Sequence, residues 1–267
     1  MPVELNGSRV LLTGATGGIG HAIARALHAR GAHLILTGRR TEVLAQLVSE
    51  LGGRAEARAL DLSDSAAVSA FCGEVGDVDV LIANAGLPGT GKLSEYSGEQ
   101  IDRVLDVNLR SPVHMTHALL PRMLERGRGH LVYISSISGK VPTARSSLYN
   151  GTKFGLRGFA HATHQDLRGT GVGVTTVFPG FISDAGMWAD GGLDLPRGVR
   201  TRTPEQVANA VIKGIEKDKA EIDVAPLFVR FGGWLSGPAP NVVAAISRSS
   251  GGDDIGDALA DAQREKR

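Results

Sequence analysis

Residues 9–13 (RVLLT) form a short run of branched apolar side chains, and residues 21–31 (HAIARALHARG) follow a helical pattern. Between them lies Gly14-Ala15-Thr16-Gly17-Gly18-Ile19-Gly20. No other stretch restricts the fold as tightly. The apolar run reads as a buried strand. Ile23, Leu27 and Arg30 keep helical spacing, and Gly31 stops the helix. Glycines in the link let the chain reverse sharply and bring the bare amides of a helix start against an anion. A strand, a glycine turn and a helix in that order commit this part of the chain to a βα unit.

The rhythm continues. Residues 33–37 (HLILT) are a second strand, followed by a helix over 41–51 with Thr41 at its cap. Residues 54–60 give a third strand ending at Asp61, and Ser63 or Asp64 caps the helix that runs to Val75. Residues 78–83 (VDVLIA) are a fourth strand. The pattern over 98–123 predicts one long helix, with Pro112 as an internal break or first-turn residue. A fifth strand (130–135), a helix (147–168), a sixth strand (172–178), a helix (204–217) opened by Thr203 and Pro204, and a short strand (222–224) complete the series. Strands apolar on both faces and joined by helices predict an α/β fold. It is a doubly wound parallel sheet of about seven strands with helices on both faces. Residues 1–226 read as one domain, and 227–267 as a tail packing on the core or on a subunit interface.

Composition removes other classes. The 267 residues carry 29 Lys and Arg against 28 Asp and Glu, a net charge of +1, so nothing recommends nucleic acid as a partner. The single cysteine, Cys72, excludes an intrachain disulfide, fits a reducing, cytoplasmic setting and reads as a small buried hydrophobe. The start, MPVELNGSRV, has no basic region followed by an apolar one, so no signal peptide is expected. Residues 231–247 are apolar but interrupted by three glycines and two prolines, so no integral membrane segment is expected.

The strand ends carry the chemistry, as ligands of such sheets bind where strands finish. Thr13, Gly14, Thr16, Gly17, Gly18, Ile19 and Gly20 form a dinucleotide-type phosphate turn. The Walker alternative fails because no Gly-Lys-Ser/Thr follows. After the second strand comes Thr37-Gly38-Arg39-Arg40. An acid there would bond a ribose 2′-hydroxyl, whereas guanidinium groups suit a 2′-phosphate. NADP(H) is therefore favoured over NAD(H), with Arg39 as first contact and Arg40 beside it. Asp61 and Leu62 follow the third strand and could hold the adenine ring. Asn84, Ala85 and Gly86 follow the fourth and offer a small flat surface.

Tyr149 and Lys153 are four residues apart and share a helix face. Such a pair is ordinarily a solvated surface pair. An ammonium beside a phenol favours the phenolate, which lowers the tyrosine pKa from about 10. Ser136 stands thirteen residues before Tyr149, at the end of the fifth strand. Its hydroxyl could meet the same substrate oxygen.

With TGATGGIG, Asp61-Leu62, Asn84-Ala85-Gly86, Asn108, Ser136, Tyr149-Asn150-Gly151-Thr152-Lys153 and Pro179-Gly180 in order, the chain resembles the short-chain dehydrogenase/reductase family over about residues 5–225. The resemblance implies a Rossmann-type oxidoreductase that moves a hydride between nicotinamide and a carbonyl or alcohol carbon. It implies Tyr149 as general acid in reduction and Ser136 as the hydrogen-bond partner of the same oxygen. Lys153 would bond the nicotinamide ribose and tune Tyr149. Asn108, at a helix break, would hold a water that relays protons. Pro179, Gly180 and Ile182 would border the nicotinamide. Asp184 stands where the family often has a threonine. The resemblance also implies a homodimer or homotetramer paired through the helices that carry His114, His117, His161 and His164. These histidines lack the carboxylate or cysteine spacing of a metal site, and no metal is expected.

Residues 184–200 are glycine-rich and aperiodic, and read as a lid. Met187, Trp188 and Leu193 would give it an apolar ceiling over a hydrophobic small-molecule substrate, with Ser136, Ser138 and Tyr149 as the polar wall. Residues 251–267 are polar and are expected to fray. Two rivals stay open: a non-catalytic dinucleotide sensor, and a relative that uses the cofactor for epimerisation or dehydration.

Overall fold

The computed structural model describes residues 3–183, 201–249 and 251–264. The predicted lid, and with it Asp184, Met187, Trp188 and Leu193, lies outside the described residues. The elements are β1 (Arg9–Leu12), α1 (Gly18–Ala29), β2 (His33–Gly38), α2 (Thr41–Leu51), β3 (Ala55–Ala59), α3 (Ser65–Glu74) and β4 (Val80–Ala83). They continue as α4 (Gly98–Leu105), α5 (Ser111–Glu125), β5 (Gly129–Ile134), α6 (Ser147–Asp166), β6 (Val172–Pro179), α7 (Pro204–Lys217) and β7 (Glu221–Val224). Three helices close the chain: α8 (Leu227–Leu235), α9 (Pro240–Ser249) and α10 (Gly252–Ala262).

The seven strands pair in parallel in the order β3-β2-β1-β4-β5-β6-β7. β1 shows why the chain folds this way. Successive side chains of a strand point to opposite faces, and Val10, Leu11 and Leu12 are all fully buried. Val10 and Leu12 join Ile23 and Leu27 of α1, Leu44 of α2 and Val211 of α7 in one core. Leu11 joins Val68 of α3, Leu119 of α5 and Leu156 of α6 in the other. A strand without a polar face needs cover on both sides, and the helical crossovers supply it. The strand order reverses between β1 and β4, which opens a crevice at their C-terminal ends.

The long helix predicted over 98–123 is divided. A π-helical turn, Asp106–Arg110, separates α4 from α5: the break falls at Asn108, as the family resemblance implies, and Pro112 lies in the first turn of α5, the second of its two readings. The first residue of α2 is Thr41 and its cap position is Arg40; the Thr41 hydroxyl turns to Glu42 instead of capping. Residues 251–264 do not fray as expected. They form α10, whose Ala260 is buried and whose following residue Gln263 is wholly enclosed. The apolar residues Leu227, Phe228, Phe231 and Trp234 of α8 are 60–76% exposed in the single chain. Among the described residues no helix is long and apolar enough to cross a membrane.

Candidate active site

The glycine turn between β1 and α1 packs against the end of β4. Gly14 has φ +65°, and a Cβ placed on it would lie 2.7 Å from the Ala85 Cα. A Cβ on Gly20 would collide with the Gly14 carbonyl. Only glycine allows both approaches. Thr13 is buried and faces inward: its hydroxyl accepts the amides of Asn84 (3.0 Å) and Ala85 (3.1 Å). The Asn84 side-chain amide donates to the carbonyls of Thr13 and Gly14, at 3.0 and 3.1 Å. Thr13 and Asn84 thus staple the two strand ends together, while Gly17, Gly18 and Gly86 are exposed. Gly17 caps α1 without any side-chain bond to the helix amides, and the first turn carries no acid. The first amides of a helix have no intrahelical acceptor. This turn therefore fits the pyrophosphate of a dinucleotide.

Beyond β2, Arg39 is exposed. The Arg40 guanidinium folds back and donates to the Thr16 carbonyl at 2.5 Å, so it props the glycine turn. Asp61 turns its Oδ1 to the amide (2.9 Å) and hydroxyl (2.7 Å) of Ser63. Burial alone would raise its pKa; the two Ser63 bonds, with Arg39 and Arg103, bring it below the usual carboxylate value. Leu62 is buried, and its carbonyl accepts the Ser111 hydroxyl.

The structure brings Ser136, Tyr149 and Lys153 to one place. β5 ends at Ile134, and Ser136 caps a single 3₁₀ turn, Ile137–Gly139, through an Oγ that accepts the Ser138 amide at 3.1 Å. The same Ser136 side chain is near enough to the Tyr149 phenol to oppose the rise in its pKa. The Ser138 carbonyl is taken by the Asn150 side chain at 2.6 Å. Lys153 is 3% exposed, and its Nζ donates to the Ile134 carbonyl at 3.0 Å. That Nζ lies 5.6 Å from the Tyr149 ring centre. A Cβ on Gly86 would stand 3.6 Å from both Lys153 Nζ and Asn108 Oδ1, so the end of β4 faces the same point.

Asn108 is buried in the π-helical turn. Its Oδ1 accepts the Leu87 amide (2.7 Å), and its Nδ2 donates to the Leu87 carbonyl (3.0 Å) and the Thr152 hydroxyl (3.3 Å). The side chain thus ties the loop after β4 to α6. Gly180 donates to the Val224 carbonyl at 3.0 Å. Ile182 is buried in a bridge with Arg202 and contributes to the core beneath β1 rather than to an open surface.

One expectation is reversed. The sequence predicts a Tyr149 pKa lowered by Lys153. Instead, burial pushes the phenol up to about 12, with the nearby Ser136 hydroxyl opposing it, and burial pulls the Lys153 ammonium down to about 8. The site desolvates both groups, and each favours its neutral form. The phenol keeps its proton through neutral pH and yields it only to a stronger base, such as an alkoxide.

Several supporting residues carry no sequence signal. Lys140 closes the 3₁₀ turn beside Ser136; its buried ammonium bonds Glu221 (2.8 Å) and Asp223 (2.6 Å) and sits 3.9 Å from the Phe178 ring centre. Burial would raise the Glu221 pKa, but bonds from Lys140, His161 and Arg157 hold it at about 2. His161 is thus engaged within the chain, with Nε2 2.5 Å from Glu221 Oε1. Among the described residues no group of three or more His, Cys, Asp or Glu could hold a metal. Cys72 is buried, and burial raises its thiol to about 11.

A family model described as short chain dehydrogenase matches residues 8–193, more than half of the chain. The chain belongs to the short-chain dehydrogenase/reductase family. It is an NAD(P)-dependent oxidoreductase of that family. It is 39% identical over 227 residues to "Ketoacyl reductase HetN" of Nostoc, a match covering 82% of this chain and 79% of that one. It is 32% identical over 264 residues to the mouse "Dehydrogenase/reductase SDR family member 7B", covering 92% and 81%. Among solved structures, a metagenomic short-chain oxidoreductase in complex with NADP superposes with a TM-score of 0.72 at 33% identity, over 84% of this chain and 99% of that one.

Proposed function

We propose that this short-chain dehydrogenase/reductase prefers NADP(H) and interconverts a carbonyl and a secondary alcohol on a hydrophobic small molecule, in the cytoplasm. The observation that carries this reading is the convergence of the Ser136 hydroxyl, the Tyr149 phenol and the Lys153 ammonium beside Gly86. Gly17, Gly18, Ile19 and Gly20 would hold the pyrophosphate, Arg39 the 2′-phosphate, and Lys153 the nicotinamide ribose. When bound, the cofactor supplies or accepts the hydride.

The chain's own groups handle the proton. Negative charge develops on the substrate oxygen during reduction, and donors already aimed there stabilise it best. Ser136 Oγ orients the carbonyl by donating to it. Tyr149 gives its phenolic proton to the forming alkoxide, and Lys153, as the ammonium, stabilises the phenolate left behind. The ammonium is present below about pH 8 and lost above it, whereas the phenol stays protonated to about 12. Reduction is therefore expected to hold through neutral pH and to decline above about 8.

The test is a panel of ketones and alcohols followed at the reduced-nicotinamide absorbance, with NADPH and NADH compared and the best substrate taken through a pH profile. Tight NADPH binding without turnover of any ketone would favour the sensor reading, and product isomerisation without net oxidation would favour the epimerase. HetN, a ketoacyl reductase by name, places a β-ketoester first on the panel. A homodimer or homotetramer is part of the proposal, supported by the outward apolar face of α8. Light scattering should give a mass at least twice that of the chain; a monomer would remove that part.

A further inference from the structure

The C-terminal helix α10 lies beyond the residues that the family model matches, yet it reaches the backbone that holds Tyr149. Thr90 and Gln263 are 173 positions apart, are 2% and 0% exposed, and meet through a 2.7 Å bond between the Thr90 hydroxyl and Gln263 Oε1. Thr90 belongs to a tight loop, Gly89 to Gly91. The Gly89 carbonyl accepts the Tyr149 amide at 3.2 Å. A Cβ on Gly89 would come 2.9 Å from that nitrogen and 3.3 Å from the Tyr149 Cβ, so the loop lies directly against the residue. The Gly91 amide donates to the Arg145 carbonyl at 2.5 Å, and the Tyr96 hydroxyl to the Thr90 carbonyl at 2.8 Å.

A second contact links α10 to the loop before α6. The Arg145 guanidinium grips Asp257 through Nε–Oδ1 at 2.5 Å and Nη2–Oδ2 at 3.4 Å. Arg145 has φ +57°, a conformation that a residue with a side chain adopts only when its surroundings hold it there. Gly256 lies against the same loop: a Cβ on it would sit 2.9 Å from the Ala144 carbonyl. α10 is thus bound to two separate loops, and Tyr149 stands between them at the start of α6.

We propose that α10 is a strap that positions Tyr149, with Thr90, Gln263, Arg145 and Asp257 as positioning residues for the oxidoreductase reaction. The proposal rests on the reading of Tyr149 as proton donor. The exposed Arg145–Asp257 pair adds little stability; its contribution is to set where the helix lies. Small displacements of a proton donor cost rate steeply, because proton transfer needs hydrogen-bond reach. The phosphate groups of the cofactor would rest on the β1–α1 turn and Arg39 rather than on α6, so most of its affinity should survive loss of the strap.

Thr90→Val keeps the shape and removes the hydroxyl; Thr90→Ser keeps the hydroxyl. In the full chain, Thr90→Val is expected to lower kcat on a β-ketoester by about tenfold or more. NADPH affinity, read by fluorescence, should stay within about twofold. Hydrogen exchange of amides 147–152 should accelerate about tenfold, a readout that needs no turnover and survives if the reductase reading fails. Thr90→Ser should restore all three values. Arg145→Asp and Asp257→Arg should each lower kcat, and the double swap should recover most of it; this arm carries the test if Thr90→Val does not fold. Wild-type exchange and kcat in Thr90→Val would overturn the strap. So would a parallel loss of kcat, NADPH affinity and melting temperature, because that pattern reports general destabilisation.

Discussion

Replacing Tyr149 by Phe is expected to lower ketone turnover by about a thousandfold while NADPH still binds within about twofold of wild type. The substitution removes one oxygen and nothing else that the fold uses. The backbone amide of Tyr149 still bonds Gly89, and its carbonyl still accepts the Thr152 hydroxyl at 2.8 Å. What is lost is the donor that protonates the alkoxide, beside the Ser136 hydroxyl. A positioned general acid contributes about 10²–10⁴ in rate, and loss of a donor to developing oxyanion charge costs a further part of the barrier. Steady-state kinetics beside a fluorescence titration of NADPH would read both numbers. Full turnover in the variant would remove Tyr149 from the mechanism.

Arg39→Asp is expected to weaken NADPH binding by about a hundredfold and to leave NADH the better cofactor. A charge-assisted bond to phosphate contributes about 1.5–3 kcal/mol. The new carboxylate would repel a 2′-phosphate yet accept a bond from a 2′-hydroxyl. Arg39 is exposed just past the end of β2, and its charge already reaches Asp61 after the neighbouring β3, so it stands free to meet an anion at the strand ends. Arg40 differs, because its guanidinium is fixed on the Thr16 carbonyl. Dissociation constants for NADPH and NADH, measured on both proteins, decide the matter. An unchanged ratio would assign the preference elsewhere.

How far the sequence reached can be judged element by element. The buried strands were legible because a strand covered on both faces must be apolar throughout, as in Leu34, Ile35 and Leu36 of β2, all at most 2% exposed. The cap at Thr203 and the first-turn Pro204 were legible because capping is local chemistry; Gln206 completes a capping box with Thr203. The break at Asn108 was legible only through the family resemblance; its π-helical form was not, because the local residue pattern carries no signal for one extra residue within the turn. The helical tail was also missed. Glycine and proline between residues 232 and 240 obscure the pattern, and α10 is stabilised by distant partners rather than by its own propensity.

The sequence by itself determined the parallel α/β sheet and the glycine turn at its centre, and it brought the chain within reach of its family. Those depend on residue order and on spacings of a few positions, which local sterics and burial translate directly into structure. The tertiary structure alone decided the electrostatics of the site and its outer support. Tyr149 and Lys153 are neighbours in sequence, but the direction of both pKa shifts follows from the burial that the surrounding elements impose, partial at Tyr149 and near complete at Lys153. Arg145 meets Asp257, and Thr90 meets Gln263, only because the chain returns over more than a hundred residues to the start of α6. No local pattern encodes such contacts, for their energy exists only once the sheet has brought the strand ends together.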